Sequence, residues 1–295
     1  MESTKLINLI GSSCEEALAA EVSATPKPGL VDKNNSGAHR DMDFTTFMDS
    51  ISAISPAFFE FARLGTGLEA LDENSLAKIR PLGIKYEKAM FDATKGVNTH
   101  KGAIFSLGII AAAAGHCGFI RGDLQAETVC AAASIIAGAV EGDFKNPPKE
   151  KFLTKGYELF TKYGIRGIRG EAADGFPSVR QRALHELREL MSQGKYSENE
   201  MHLQTLLCLM TTATDTNVIA RCGGGAIKLL QSEAEKILEH GGALTQRGIL
   251  ELYALDQNFI EKNISPGGCA DLLSVTIALC KMEDGFIKME GKNNA

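Results

Sequence analysis

"AIFSLGIIAAAAG", residues 103–115, decides the class of fold. It is apolar or small on every side, so no face is reserved for water and no strand-like alternation appears. It is shorter than the roughly 20 residues that cross a bilayer, and reads as a helix buried in a protein core. Outward from it, apolar residues keep a helical period along most of the chain. The spacing predicts helices over about 5–22, 43–63, 76–94, 101–117, 123–140, 149–163, 178–193, 197–214, 216–240, 244–262 and 267–282. No run of convincing length is rich in β-branched residues. The class is all-α, and the expected architecture is a single compact multi-helix domain spanning residues 1–295.

Punctuation supports these limits. Ser178 with Gln181 and Ser197 with Glu200 have capping-box spacing. Ser265 before Pro266 suits an N-cap followed by a first-turn proline. Pro81 should end or kink the third segment. "FKNPPKE" (144–150) reads as a short connector and the best candidate boundary.

Composition excludes some roles. The chain has 295 residues, 44% hydrophobic and 23% charged, with a net charge of −6. That balance argues against a general nucleic-acid surface or an anionic membrane surface. The seven cysteines form no CxxC pair and stand mostly among apolar residues, as free thiols do in a reducing cytosol. "MESTKLINLI" lacks the order of a signal peptide. The expected location is the cytoplasm.

The chemistry lies in the connections. Gly, Asp or Glu, His or Asn, and Lys or Arg recur together in "TPKPGLVD" (25–32), "GAHRDMD" (37–43) and "GVNTHKGA" (96–103). They recur again in "GIRGEAADGFP" (167–177), "TDTNVIARCGGG" (214–225) and "SPGGCAD" (265–271). Six such junctions in a helical chain suggest one pocket built from helix ends. Helix N-termini seat phosphate, glycines admit a ligand close to the backbone, and Lys and Arg neutralise phosphate oxygens. Carboxylates beside a polyphosphate call for a cation between them, and Mg²⁺ with one or two carboxylates is the usual answer. Plainer roles compete. Asp43 is placed to cap a helix, and Asp215 and Asn217 fit a cap or turn. His39 and His100 lack metal-pair spacing. "GGG" at 223–225 is no phosphate loop.

Taken together, "EVSATPKPGLVDKNNSGAHRDMD" (21–43), "IRPLGIKYEKAM" (79–90), "GVNTHKGAIFSLG" (96–108), "YGIRGIRGEAADGFPSVR" (163–180), "DTNVIAR" (215–221) and "ISPGGCADLL" (264–273) resemble the triphosphoribosyl-dephospho-CoA synthase family. The likeness runs in order from about residue 14 to residue 282. It implies an α-helical transferase with ATP and 3′-dephospho-CoA as substrates. The products would be 2′-(5″-triphosphoribosyl)-3′-dephospho-CoA and adenine. That product is a prosthetic-group precursor for citrate lyase or malonate decarboxylase, handed on to an acyl-carrier-protein holo-transferase.

Such a reaction breaks the N-glycosidic bond at C1′, where the ribose develops oxocarbenium character. Chemical fit assigns the triphosphate to Lys27, His39, Arg40, His100 and Lys101, with Arg169 and Arg221 in support. Mg²⁺ would rest on some of Asp32, Asp41, Asp43 and Asp215. Glu171 or Asp174 is the expected base, with His100 a further catalytic candidate. Asn98, Asn217 and Asp271 would hold ribose hydroxyls or the adenine edge. Two other readings stand beside this one: a Mg²⁺-dependent hydrolase of ADP-ribose-type N-glycosides, and a non-catalytic helical nucleotide-binding module. Apolar helices and 30 glycines also permit a homodimer.

Overall fold

The computed structural model describes residues 3–72, 74–140, 142 and 155–293, and these form helices and connections with no β-strand. In chain order the α-helices are α1 (Ser3–Ser23), α2 (Phe44–Thr66), α3 (Ser75–Ala93), α4 (Lys101–His116), α5 (Ala126–Ala137), α6 (Lys155–Tyr163) and α7 (Gly167–Ala173). Then follow α8 (Leu184–Gln193), α9 (Glu198–Thr212), α10 (Thr216–Cys222), α11 (Gly225–Glu239), α12 (Gln246–Glu261) and α13 (Gly267–Asn293).

The apolar stretch that fixed the class is the middle of α4. From Ala103 to His116 every residue but Phe105 is buried. Helices α1, α2, α3, α5, α7 and α13 all pack against α4. A π-helical turn, Cys117–Arg121, prolongs it. With that turn the segment becomes long and apolar enough to cross a membrane by length and composition, yet it is mostly enclosed by its neighbours, as a core helix is. The apolar stretch read from the sequence stopped at residue 115 because His116 interrupts it.

Helix α4 lies close against α2 because small residues meet small residues. A Cβ on Gly115 would strike the Ala62 carbonyl, and one on Gly65 the Ala112 carbonyl. One contiguous apolar core runs from Leu6 of α1 to Phe286 of α13. Six of the seven cysteines are buried, five of them in this core, and none is paired.

Three sequence expectations need correction, while helix α3, expected over 76–94 with an end or a kink at Pro81, continues through that residue. Pro81 is exposed in the second turn, and the carbonyl its missing N–H frees belongs to exposed Ala77, where water can reach it. The single helix expected over 216–240 is two, broken at Gly223, whose φ is +81°. Three consecutive glycines make that break easy. Ser178 caps nothing; it precedes a π-helical turn, Val179–Ala183. Within "GIRGEAADGFP", expected as a connection, seven residues form α7. The Ser197–Glu200 capping box is present as expected. "FKNPPKE" lies outside the described residues.

Candidate active site

The loop between α1 and α2 and the starts of α4, α7, α10 and α13 meet around a cavity of about 1350 Å³. His39, His100, Glu171 and Asp215, which come from four separate junctions, all line it. So do Lys27, Arg40, Asp41, Asn98 and Lys101, and Arg169, Asn217, Arg221 and Asp271.

Asp215 ties two helices together. Its Oδ1 accepts the N–H groups of Asn217 (2.8 Å) and Val218 (3.2 Å), which open α10. Its Oδ2 accepts the N–H of Cys269 (2.9 Å) in the first turn of α13. The cap anticipated from sequence therefore serves two N-termini at once. Burial still raises its pKa, and the three amides only moderate that rise.

Asp271 does similar work for α4. Its carboxyl lies so close to Gly102 that any Cβ there would collide with it. Burial, then the neighbouring Glu21 and Asp215, raise its pKa well above the usual carboxylate value, against the pull of the Ala103 amide. His100 occupies the N-cap position of α4 without making a side-chain cap itself.

His39 is held from two sides. Its Nε2 pairs with Ser265 Oγ at 2.8 Å, and its Nδ1 lies 3.4 Å from Arg221 Nη1. Burial and Arg221 lower its pKa. Arg221 also donates to the carbonyls of Ala38 and Asn263 and to the Asn263 side chain, fixing the loop over α10. Ser265 is thus a partner of His39, while Pro266 offers its carbonyl to Ala270 at the start of α13.

His100 sits deeper. Its Nδ1 is 2.7 Å from Ser50 Oγ, and Thr99 Oγ1 donates to that same oxygen at 2.7 Å. Among the described residues, its Nε2 is the buried side-chain polar atom left with no partner. Burial, then Lys27, take its pKa down to about 3.

Two expected phosphate ligands are already paired. Lys27 is 1% exposed and forms a buried ion pair with Glu21, so its charge is balanced within the wall. Lys101 pairs with Glu87 of α3, and its backbone N–H donates to Asn98 at 3.3 Å. Arg40 is exposed at the rim.

Of the two candidate bases, Glu171 faces the cavity and Asp174 does not. Ser178 donates to Glu171 through both its hydroxyl and its N–H. Burial raises the Glu171 pKa, and the Ser178 contacts work against that rise. Asp174 is exposed and salt-bridged to Arg166. Its neighbour along the chain is Gly175, with φ of +73°, which turns the backbone away after α7.

Two carboxylates expected at the metal lie elsewhere. Asp32 accepts the N–H groups of Lys27, Asn34 and Asn35 and so folds its own loop. Asp43 caps α2 through a capping box with Thr46. Among the described residues no three His, Cys, Asp or Glu side chains gather to cage a metal. The donor set suits a cation that takes one or two carboxylates and fills its shell with phosphate and water oxygens. Asp215 and Asp271, each disfavoured as an anion by burial and Asp271 further by Asp215, would gain from such a cation.

Sequence reading missed Glu21, Ser50, Glu87 and Thr99. Glu21 was findable: it falls on the buried face of α1 with Ala17 and Leu18. Ser50, buried inside α2, carries no local signal.

Comparison with known proteins meets this geometry. Residues 7–289 match the model of the CitG family, ATP:dephospho-CoA triphosphoribosyl transferase. The chain belongs to the ATP:dephospho-CoA triphosphoribosyl transferase family. It is 40% identical over 278 residues to the 2-(5''-triphosphoribosyl)-3'-dephosphocoenzyme-A synthase of Escherichia fergusonii, covering 94% of this chain and 91% of the relative. It is 41% identical over 279 residues to the "Probable 2-(5''-triphosphoribosyl)-3'-dephosphocoenzyme-A synthase" of Salmonella gallinarum, covering 93% and 91%. No solved structure matches. Membership in this transferase family accords with a cavity walled by both cationic and carboxylate side chains.

Proposed function

We propose that the protein transfers the triphosphoribosyl group of ATP to the 2′-hydroxyl of 3′-dephospho-CoA and releases adenine. The observation that carries this is the gathering of charged side chains from six distant junctions around one large cavity, in a chain of this family.

The bond between C1′ and the adenine nitrogen breaks, and its electrons leave with adenine. The 2′-oxygen of dephospho-CoA forms the new bond to C1′. Glu171, half-buried and aligned by Ser178, takes the hydroxyl proton, while adenine takes a proton from solvent after it departs. The same carboxylate faces the positive charge that grows on the ribose. Arg40, Arg169 and Arg221 lie on the wall where the triphosphate would rest. Mg²⁺, when bound, would be held by Asp215 and Asp271 and would neutralise phosphate charge. Asn98 and Asn217 remain as partners for ribose hydroxyls. The product would pass, in a bacterial cytoplasm, to the holo-transferase that loads an acyl carrier subunit. A homodimer is compatible with this reading.

The test is adenine release from ATP, followed by chromatography, with and without dephospho-CoA. Release that requires dephospho-CoA, with a product heavier by one triphosphoribosyl group, is expected. Equal release without dephospho-CoA would point to an N-glycoside hydrolase. No release in either case, with nucleotide binding intact, would leave a binding module.

A further inference from the structure

We propose that His100 holds a ring nitrogen of the departing adenine through its Nε2–H, and that Ser50 and Thr99 are positioning residues that keep the proton on that nitrogen. The proposal rests on the triphosphoribosyl-transfer reading above.

The hydrogen-bond chain sets the tautomer. Thr99 Oγ1 donates to Ser50 Oγ, and Ser50 Oγ lies 2.7 Å from His100 Nδ1. With Thr99 donating to it, Ser50 Oγ finds an acceptor for its own proton in His100 Nδ1, an arrangement that places the hydrogen of the neutral imidazole on Nε2. That Nε2 is buried and unpaired, in a residue on the cavity wall. Buried polar groups are nearly always satisfied, so a missing partner here points to the ligand.

The surroundings fit a flat base better than a phosphate. The Phe47 ring meets the His100 ring edge-on, with centroids 4.8 Å apart. Phe91, Ile104 and Phe105 line the same cavity, Ile104 and Phe105 in the first two turns of α4. Lys27, whose charge acts on His100, is already paired with Glu21, and Lys101, next in the chain, is paired with Glu87. Because burial keeps the imidazole neutral, the group donates a hydrogen bond without transferring its proton. As the glycosidic bond lengthens, adenine becomes electron-rich and its ring nitrogens accept more strongly. The interaction therefore tightens toward the transition state.

The experiment compares His100→Gln with His100→Asn in the full chain, using ATP and dephospho-CoA. A Gln amide nitrogen reaches the place of Nε2, whereas that of Asn reaches only the place of Nδ1. H100N should lose about 100-fold in kcat, H100Q clearly less. S50A should fall below wild type and S50T recover. Either 3-deaza-ATP or 7-deaza-ATP should cost the wild type a similar factor and cost H100N nothing more. Equal losses for both analogues in wild type and H100N would overturn the proposal, as would equal activity of H100N and wild type. The nitrogen-15 spectrum of His100 in wild-type protein decides even if a variant does not fold: a protonated Nε2 is expected, and a protonated Nδ1 overturns it. Wild type that couples adenine release to dephospho-CoA keeps the reaction whatever these variants do; wild type that does not removes the reaction itself.

Discussion

Ser178 gives its hydroxyl proton to Glu171, and its oxygen caps no helix start. The capping-box spacing with Gln181 was a sound local reading, but a carboxylate seven residues back competes for the same hydroxyl. This gives Ser178 a measurable effect at a distance from the chemistry. Its two hydrogen bonds favour the ionised form of Glu171, while burial opposes it. A base must be ionised to act, so activity should fall as pH drops through the raised Glu171 pKa. Removing the hydroxyl in S178A takes away a contact that lowers this pKa, so the acid limb of kcat/KM should move to higher pH. E171Q should lose about 10²- to 10⁴-fold in kcat with near-normal stability. A pH profile of S178A superimposable on wild type would show that Glu171 does not set that limb. Residues of this kind are legible only as types. Glu171, His39 and Asp215 could be nominated because their junctions were chemically crowded. Ser50 could not, since nothing in "FMDSISAI" marks one serine as the partner of a histidine fifty residues away.

At the scale of helices, the sequence displayed the class and most limits, because α4 is apolar on every side, α9 opens on a capping box, and α8, α11 and α12 carry periodic apolar faces. It did not reveal which helix starts meet. That is settled by tertiary packing, in which Asp215 joins the starts of α10 and α13 and Asp271 lies against the start of α4. Capping and metal binding were offered as alternatives for Asp215, yet one carboxylate does the first while standing on the cavity wall. D215A would strand three amides and should cost about 2–3 kcal/mol, read as a lower denaturation midpoint at unchanged slope. Asp43 makes the contrast. It caps α2 from an exposed position away from the cavity, so D43A should lower thermal stability modestly and leave the ATP and Mg²⁺ dependence of turnover within a few-fold of wild type. A collapse of Mg²⁺ dependence in D43A would instead return this residue to the metal.

For the whole molecule, the telling feature is that a chain of net charge −6 brings Glu21, Asp215 and Asp271 near one another at its centre, with one buried lysine to balance them. In the absence of ligand that arrangement works against the fold. Burial raises the pKa values of Asp215 and Asp271, so the folded chain holds their protons more tightly than the unfolded chain does. Stability of the ligand-free protein should therefore fall as pH climbs from the ordinary carboxylate range through these raised values. D271N removes one of the charges while its amide oxygen can still face the start of α4. The variant should unfold at a higher temperature than wild type at neutral pH, with the difference shrinking as both are acidified. It should also transfer triphosphoribosyl groups poorly, because a carboxylate suited to a cation and its phosphates is gone. Thermal unfolding of both proteins across pH, beside dephospho-CoA-dependent adenine release, checks the pair of effects. A D271N protein that is both less stable and fully active would mean that Asp271 is simply a cap for α4, and that the charge gathered around the cavity serves packing instead of a ligand.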